Sequence, residues 1–190
     1  MSETTTATAS PAHERYSGLQ IALHWATAII IIGMIPTGMV MTSLDPSPFK
    51  NLLYELHKSF GLIIVGLTAI RLVTRWLSGA PPLVPMSPVK RAAAKATHIM
   101  LYALLVLAPL SGWAATSACC APVNLFWSIP LTLPVSGGFD VAKRIFAVHY
   151  GLTLALAGLL LLHAAAALHH HYALRDLTLR RMLPGSGGTR

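Results

Sequence analysis

Histidine is the residue type in this sequence with the clearest capacity for chemistry. The 190-residue chain holds nine His, against six Asp and Glu together. A neutral imidazole is the commonest side-chain ligand for metals, and it titrates near neutral pH. His13 lies in a polar segment. The others lie within or beside long apolar runs, at positions 24, 57, 98, 149, 163, 169, 170 and 171.

The apolar runs predict that these histidines lie in a membrane. Hydrophobic residues make up 54% of the chain and charged residues only 11%, less than half the share of about a quarter in soluble domains. A helix that crosses a bilayer needs about 20 mostly apolar residues. We therefore predict an all-α membrane protein, a four-helix transmembrane bundle with helices at about residues 20–41, 52–77, 92–116 and 141–172.

The remaining segments predict a simple domain organisation. Residues 1–18 are polar and predict a disordered tail. We expect one membrane domain over residues 19–177 and a basic tail over residues 178–190. Pro36 predicts that the first helix kinks or ends early. Residues 117–140 contain several prolines and predict a long irregular connector.

Basic residues predict the orientation of the bundle. Ten of the 14 Lys and Arg lie at the termini or near the connection between helices 2 and 3. These ten are Arg15, Arg71, Arg75, Lys90, Arg91, Lys95, Arg175, Arg180, Arg181 and Arg190. By the positive-inside rule, we expect both termini to be cytoplasmic. No soluble domain offers a basic face, so nucleic acid is excluded as a partner.

The antiparallel order of the helices predicts the depth of each histidine. His24 and His98 lie near the inner surface, whereas His57 and His149 lie near the outer surface. His163 follows His149 by 14 residues, which is about 21 Å of helix and about 40° short of four full turns. Both side chains therefore share one face of the fourth helix, one near each surface.

This arrangement suits two stacked haems. Bis-His ligation takes one imidazole from each of two helices on opposite sides of a flat ring. At the outer depth the available pair is His57 with His149. At the inner depth His163 needs either His24 or His98, and geometry does not choose between them. The sequence has no CxxCH motif, so we expect any haem to bind non-covalently.

Two other interpretations of the histidines receive less support. Each could be an isolated interior residue bonded to a carbonyl, but four that pair by depth argue against that. A transition-metal transporter usually adds carboxylates or thiolates inside the membrane. All the acids lie outside the apolar bodies of the spans: Glu3, Glu14, Asp45, Glu55, Asp140 and Asp176. Cys119 and Cys120 are neighbours, which favours two small unlinked residues at a loop edge.

Several short motifs together resemble those of a known family. They are Leu-Gln-Ile-Ala-Leu-His24-Trp25, Leu-His57-Lys-Ser-Phe-Gly61, Arg71-Leu-Val-Thr-Arg75, Phe126-Trp-Ser-Ile-Pro-Leu-Thr-Leu-Pro134 and Leu162-His163-Ala-Ala-Ala-Ala-Leu-His-His-His-Tyr172. Their order and spacing resemble those of the bacterial cytochrome b561 family over residues 16–184. The resemblance implies a four-helix bundle in the inner membrane with two b-type haems.

The resemblance also implies which histidines bind iron. It assigns His24 with His163 to the inner haem and His57 with His149 to the outer haem. His98 matches a histidine that is not an axial ligand. Gly61 follows His57 by one turn and either lets a flat macrocycle approach or simply permits helix packing.

Members of the family that resemble this chain oxidise superoxide outside and reduce ubiquinone within the membrane. The resemblance therefore implies an oxidoreductase with superoxide or another periplasmic donor and with quinone as acceptor. The alternative is an electron-transfer or anchor subunit of a hydrogenase- or dehydrogenase-type complex, with a redox partner subunit.

Further residues have expected roles in that scheme. Arg71 follows His57 by 14 residues, so we expect it to pair with a haem propionate, with snorkelling to lipid head groups as the alternative. Proton donors for quinone are expected on the inner side, and the candidates are His98, His170 and Lys95. Basic residues on the outer side are expected to attract an anion: Lys50, Lys58, Lys143 and Arg144. We assign no chemistry to His13, His169 or His171.

Overall fold

The computed structural model describes residues 15–120 and 122–185, so the predicted tail up to residue 14, with His13, lies outside the described residues. Four long helices dominate it: α1 (Gly18–Ser43), α2 (Pro48–Ser78), α3 (Pro88–Cys119) and α4 (Gly138–Tyr172). Each is long and apolar enough to cross a membrane. The predicted all-α four-helix membrane architecture is confirmed.

All four helices begin before their predicted starts, and side-chain caps define the starts of α1 and α2. The Ser17 hydroxyl accepts a hydrogen bond from the Gln20 backbone amide, and the Gln20 side-chain oxygen accepts one from the Ser17 backbone amide. This capping box begins α1 at Gly18. Ser47 caps α2, with proline at its first position. Pro36 does not end α1, which continues to Ser43. In a bilayer the backbone gains by staying helical, since lipid offers it no other hydrogen-bond partner.

The helices pack as two antiparallel pairs. The most extensive backbone contact joins α3 to α4, followed by α1 to α2, with α2 to α3 linking the pairs. Among the described residues, neither α1 nor α2 makes a comparable backbone interface with α4. The fourth helix therefore stands off from the two helices that carry His24 and His57.

A buried aliphatic layer crosses the middle of the bundle. Ile31, Ile64, Leu105 and Leu156, one from each helix, belong to one core cluster. We call them the middle layer. On every helix the site residues lie seven positions away on either side of it, which keeps them on nearly the same face. Toward one end these are Gly38, His57, Gly112 and His149, and toward the other they are His24, Arg71, His98 and His163.

The first of these ends is covered by a β-hairpin, and we call it the hairpin end. Strands β1 (Val123–Leu125) and β2 (Ile129–Leu131) pair antiparallel, where the sequence predicts only an irregular connector. Between them Phe126 and Trp127 have φ of 44° and 63°, the left-handed conformation of a tight hairpin turn. The Trp113 indole donates to the Leu131 carbonyl at 3.1 Å, which ties the hairpin to α3. Near the hairpin, α3 ends at a Cys119–Cys120 disulfide, where the sequence favoured unlinked residues.

The other end of the bundle holds the start of α1 and the end of α4, and we call it the terminal end. Here the described residues after α4, 173–185, include a short 3₁₀ helix at Arg180–Met182. The Trp25 indole donates to the Met182 carbonyl at 2.6 Å, and Arg15 donates to the Leu183 carbonyl at 3.0 Å. This segment folds back against the start of α1.

Candidate functional site

At the hairpin end, α2 and α4 bring two imidazole rings close together. The ring centroids of His57 and His149 lie 6.3 Å apart, and the ring planes are nearly perpendicular at 81°. Two imidazoles bound to one iron through metal–nitrogen bonds of about 2 Å would place their ring centres about 6 Å apart. This separation therefore fits bis-His ligation of a haem.

His149 is oriented by a hydrogen bond to the neighbouring helix. Its Nδ1 lies 2.8 Å from the carbonyl oxygen of Ala108 on α3. A carbonyl only accepts, so Nδ1 carries the proton and donates it. The lone pair of Nε2 is then available, which is the arrangement found in most metal-binding histidines.

Two glycines give the hairpin-end imidazoles their space. A Cβ placed on Gly38 of α1 would lie 3.1 Å from Cε1 of His57, and one on Gly112 of α3 would lie 3.1 Å from the His149 ring. Any larger residue would push these rings aside. Within the described part of the chain, the buried Nδ1 of His57 finds no hydrogen-bond partner.

The sequence singled out a different glycine. A Cβ on Gly61 would meet Pro109 at 3.8 Å and Met34 at 3.9 Å, which is ordinary helix packing, and no imidazole lies within 4 Å of it. Gly38 and Gly112 went unnoticed. Each follows a histidine on its own helix, His24 or His98, by 14 residues, the same spacing that links the histidines of α4, and that signal could have identified both.

At the terminal end, three imidazole rings converge from α1, α3 and α4. His24 and His163 have centroids 6.3 Å apart, the same separation as the other pair, with planes tilted by 57°. His98 lies 5.6 Å from His163, nearly perpendicular to it. Both partners that sequence geometry allowed for His163 are therefore adjacent to it, and the His24 pair repeats the separation seen at the hairpin end.

Arg71 of α2 reaches the terminal-end cluster. Its Nη2 donates to Nδ1 of His24 at 3.1 Å, and its guanidinium carbon lies 5.3 Å from the centre of the Tyr102 ring. The 14-residue interval from His57 thus places Arg71 at the depth of His24, as expected. Because Nδ1 of His24 accepts here, a neutral ring carries its proton on Nε2. Binding of iron through Nε2 would therefore require Arg71 to release this ring, which would leave its five donor hydrogens available for an anionic group.

The quinone-side candidates differ in their surroundings. His98 belongs to the imidazole cluster, and Lys95 is an exposed residue of α3. His170 Nδ1 pairs with the Asp176 carboxylate at 2.5 Å, which sequence reasoning missed because Asp176 lies beyond α4. Burial alone would raise the pKa of Asp176, but hydrogen bonds from His170 and Thr178 lower it below its ordinary value.

Two of the basic residues at the hairpin end have partners within the chain. Lys58 forms an ion pair with Glu55, and the Lys50 ammonium donates to the Leu44 carbonyl at 2.6 Å. Lys143 and Arg144 are exposed at the start of α4. Any attraction of an anion toward His57 therefore depends more on the two α4 residues than on Lys58.

Comparison with known proteins agrees with this architecture. The profile of prokaryotic cytochrome b561 matches residues 15–185. Cytochrome b561 homolog 2 of Escherichia coli strain K12 is 36% identical over 174 residues, which cover 90% of this chain and 92% of that protein. The probable superoxide oxidase CybB of Yersinia pestis is 30% identical over 177 residues, or 93% of this chain and 99% of that protein.

These matches extend over the whole bundle and both histidine pairs. The four apolar helices and the bacterial relatives together indicate a multi-pass bacterial membrane protein. Membership also implies b-type haem binding and electron transfer, which the paired imidazoles suit. The chain belongs to the prokaryotic cytochrome b561 family.

Proposed function

We propose that this chain is a di-haem cytochrome that moves electrons from superoxide at the periplasmic face to ubiquinone in the inner membrane. The observation that carries the proposal is the pair of equal 6.3 Å separations, His57 to His149 and His24 to His163, with α4 contributing to both. The choice of superoxide is supported by the Yersinia pestis relative, a probable superoxide oxidase.

The proposed ligands are His57 and His149 for the outer haem, and His24 and His163 for the inner haem. When bound, the two haems would supply the one-electron redox chemistry. The 14-residue interval from His149 to His163 would set the separation of the two haem sites at about 21 Å along α4. The middle layer keeps the space between the two sites apolar.

The chain's own residues prepare each site. At the outer site the Ala108 carbonyl fixes the protonated nitrogen of His149, and Gly38 and Gly112 leave room for both imidazoles. At the inner site Arg71 supplies donors for a propionate beside His24. Hydrogen-bonded ligands and a nearby charge are the means by which a protein orients a haem and tunes its potential.

The direction of transfer follows from the proposed orientation. The excess of basic residues at the terminal end supports a cytoplasmic location for that end, and the hairpin end would then face the periplasm. Superoxide loses one electron there and leaves as oxygen. Ubiquinone takes up two electrons and two protons at the terminal end, where His98, His170 and Lys95 are the proposed proton donors.

The test combines a spectrum with an assay. We expect the purified chain to hold two low-spin b-type haems per polypeptide, measured as the pyridine haemochrome. In proteoliposomes we expect superoxide from xanthine oxidase to drive quinol formation, and a His57→Ala variant to abolish it. No bound haem would overturn the proposal. Two haems without superoxide-driven quinol formation would instead favour the electron-transfer subunit, which should co-purify with a redox partner.

The role of the exposed outer charges has its own test. We expect the rate with superoxide to fall as salt rises, because attraction between an anion and exposed cations is screened. A Lys143→Ala/Arg144→Ala double variant should lose most of that dependence, whereas Lys90→Ala at the other end should retain it. A rate that does not respond to salt would remove electrostatic attraction from the proposal.

A further inference from the structure

The C-terminal segment is attached to the terminal end at three separate points. The Met182 carbonyl accepts from Trp25 of α1, and the Leu183 carbonyl accepts from Arg15, which precedes α1. Arg181 donates to the Pro82 carbonyl in the α2–α3 loop at 2.7 Å. The segment thus bridges the start of α1 and the loop that follows α2. We call residues 180–185 the strap.

One of these attachments reaches the inner histidine pair. Trp25 follows His24 directly, and the two rings meet edge to face, with centroids 5.6 Å apart and planes at 87°. The indole N–H is the only polar group of a tryptophan side chain. Its bond to the Met182 carbonyl therefore fixes the plane of the indole, and the indole limits how the neighbouring imidazole can rotate.

We propose that the strap positions His24: it holds the Trp25 indole, and Trp25 holds the imidazole plane that faces His163. Trp25 and the strap are positioning elements rather than ligands. The proposal rests on the proposed inner haem site, because the orientation of an axial imidazole is what it controls. Loss of the strap should then disturb the inner site and leave the outer site unchanged.

The hairpin end offers a matched comparison within the same chain. Trp113 of α3 also donates its indole N–H to a backbone carbonyl of a covering segment, that of Leu131 in β2. Trp113 directly follows Gly112, the glycine against which His149 packs. The two tryptophans thus make the same kind of hydrogen bond at opposite ends of the bundle. A Trp→Phe change at either position removes that one indole hydrogen bond.

The experiment compares full-length haem-loaded variants by electron paramagnetic resonance and by redox titration. Trp25→Phe retains the aromatic edge beside His24 and loses only the N–H. A chain that ends at Leu179 removes the strap. We expect each change to shift the low-spin signal of the inner haem, and both shifts to have the same direction. The variant that combines the two changes should show no further shift. Trp113→Phe, at the hairpin end, should leave the inner-haem signal unchanged. Trp76, which is 83% exposed, serves as the general control, and Trp76→Phe should leave the signals of both haems unchanged.

The outcomes separate this proposal from the function itself. A wild-type chain without two low-spin signals would contradict the haem assignment. If the wild type shows two signals and the inner-haem signal does not change in Trp25→Phe or after strap removal, the positioning role of the strap is wrong and the haem assignment stands. Additive shifts in the combined variant would also overturn it, because they would mean independent action. If the shortened chain fails to fold, Arg181→Ala releases one attachment and should produce a smaller shift of the same signal.

Discussion

The two ends of the bundle hold their histidine pairs at the same separation in very different surroundings. At the hairpin end the neighbours of the imidazoles are neutral: Gly38, Gly112 and the Ala108 carbonyl. At the terminal end His24 accepts from Arg71, and His98 joins as a third ring. The separation of the paired imidazole rings is thus the same at both ends, whereas their electrostatic surroundings differ. A nearby positive charge favours the reduced state of a haem, so under the proposed function this difference would favour electron flow toward the terminal end.

The largest test of this comparison removes one ligand at each end. We expect His57→Ala and His24→Ala each to lower the haem content from two per chain to one, because each proposed site needs two axial imidazoles. His98→Ala should retain both haems. Pyridine haemochrome assays on purified variants measure this directly. If His98→Ala loses a haem and His24→Ala retains both, then His98 is the axial ligand that pairs with His163, and His24 is not.

A smaller but still severe effect is expected from crowding the hairpin end. Gly38→Ala and Gly112→Ala each place a methyl group 3.1 Å from an imidazole atom, so we expect reduced occupancy of the outer haem and a normal inner haem. Gly61→Ala meets only atoms at 3.8 Å or beyond and serves as the matched control. Occupancy of each site can be followed by its low-spin signal. Equal losses in all three variants would mean that helix packing, not space for the imidazole, is what these glycines provide.

A moderate effect is expected from removing the charge at the terminal end. Arg71→Ala should lower the midpoint potential of the inner haem, because the lost cation no longer favours the reduced form. The outer potential should stay the same, and Arg71→Lys should recover part of the shift. Spectroelectrochemical titration gives both potentials from one sample. An inner potential that does not move would mean that the charge of Arg71 does not tune the inner site.

The smallest effect concerns the ion pair after α4. The pKa of Asp176 is lowered in the folded chain, so its carboxylate stabilises the fold above the ordinary Asp pKa of about 3.9, and this contribution is lost as pH falls through the lowered value. Asp176→Asn should therefore reduce the melting temperature slightly near neutral pH. The difference from wild type should disappear in acid. A difference that persists at low pH would mean that the aspartate acts through packing instead of charge.

Much of the architecture is predictable from the sequence because it depends on local periodicity. Twenty apolar residues define a span, and an antiparallel order then gives each histidine its depth. The shared face of His149 and His163 follows from helical geometry alone. The reach of Arg71 toward His24 follows from the same interval counted along α2.

The remaining features depend on contacts between distant parts of the chain, which periodicity does not encode. The strap binds Trp25 across more than 150 residues, and nothing near Met182 indicates that partner. The β-hairpin is placed partly by Ser59, which accepts from the Phe126 amide at 2.9 Å. Gly61 was chosen because it is one turn from His57 on the same helix, whereas the glycines that touch the imidazoles lie on neighbouring helices.

The separation of α4 from α1 and α2 has a consequence for the life of the protein in the cell. The backbone joins α1 to α2 and α3 to α4, and the two pairs meet mainly through α2 and α3. Under the proposed function, each haem takes one ligand from the α1–α2 pair and one from α4 of the α3–α4 pair. Haem binding would therefore also stabilise the contact between the two helix pairs. Iron supply would then govern how long the chain survives proteolysis, and cleavage in the α2–α3 loop would be fastest in cells starved of iron.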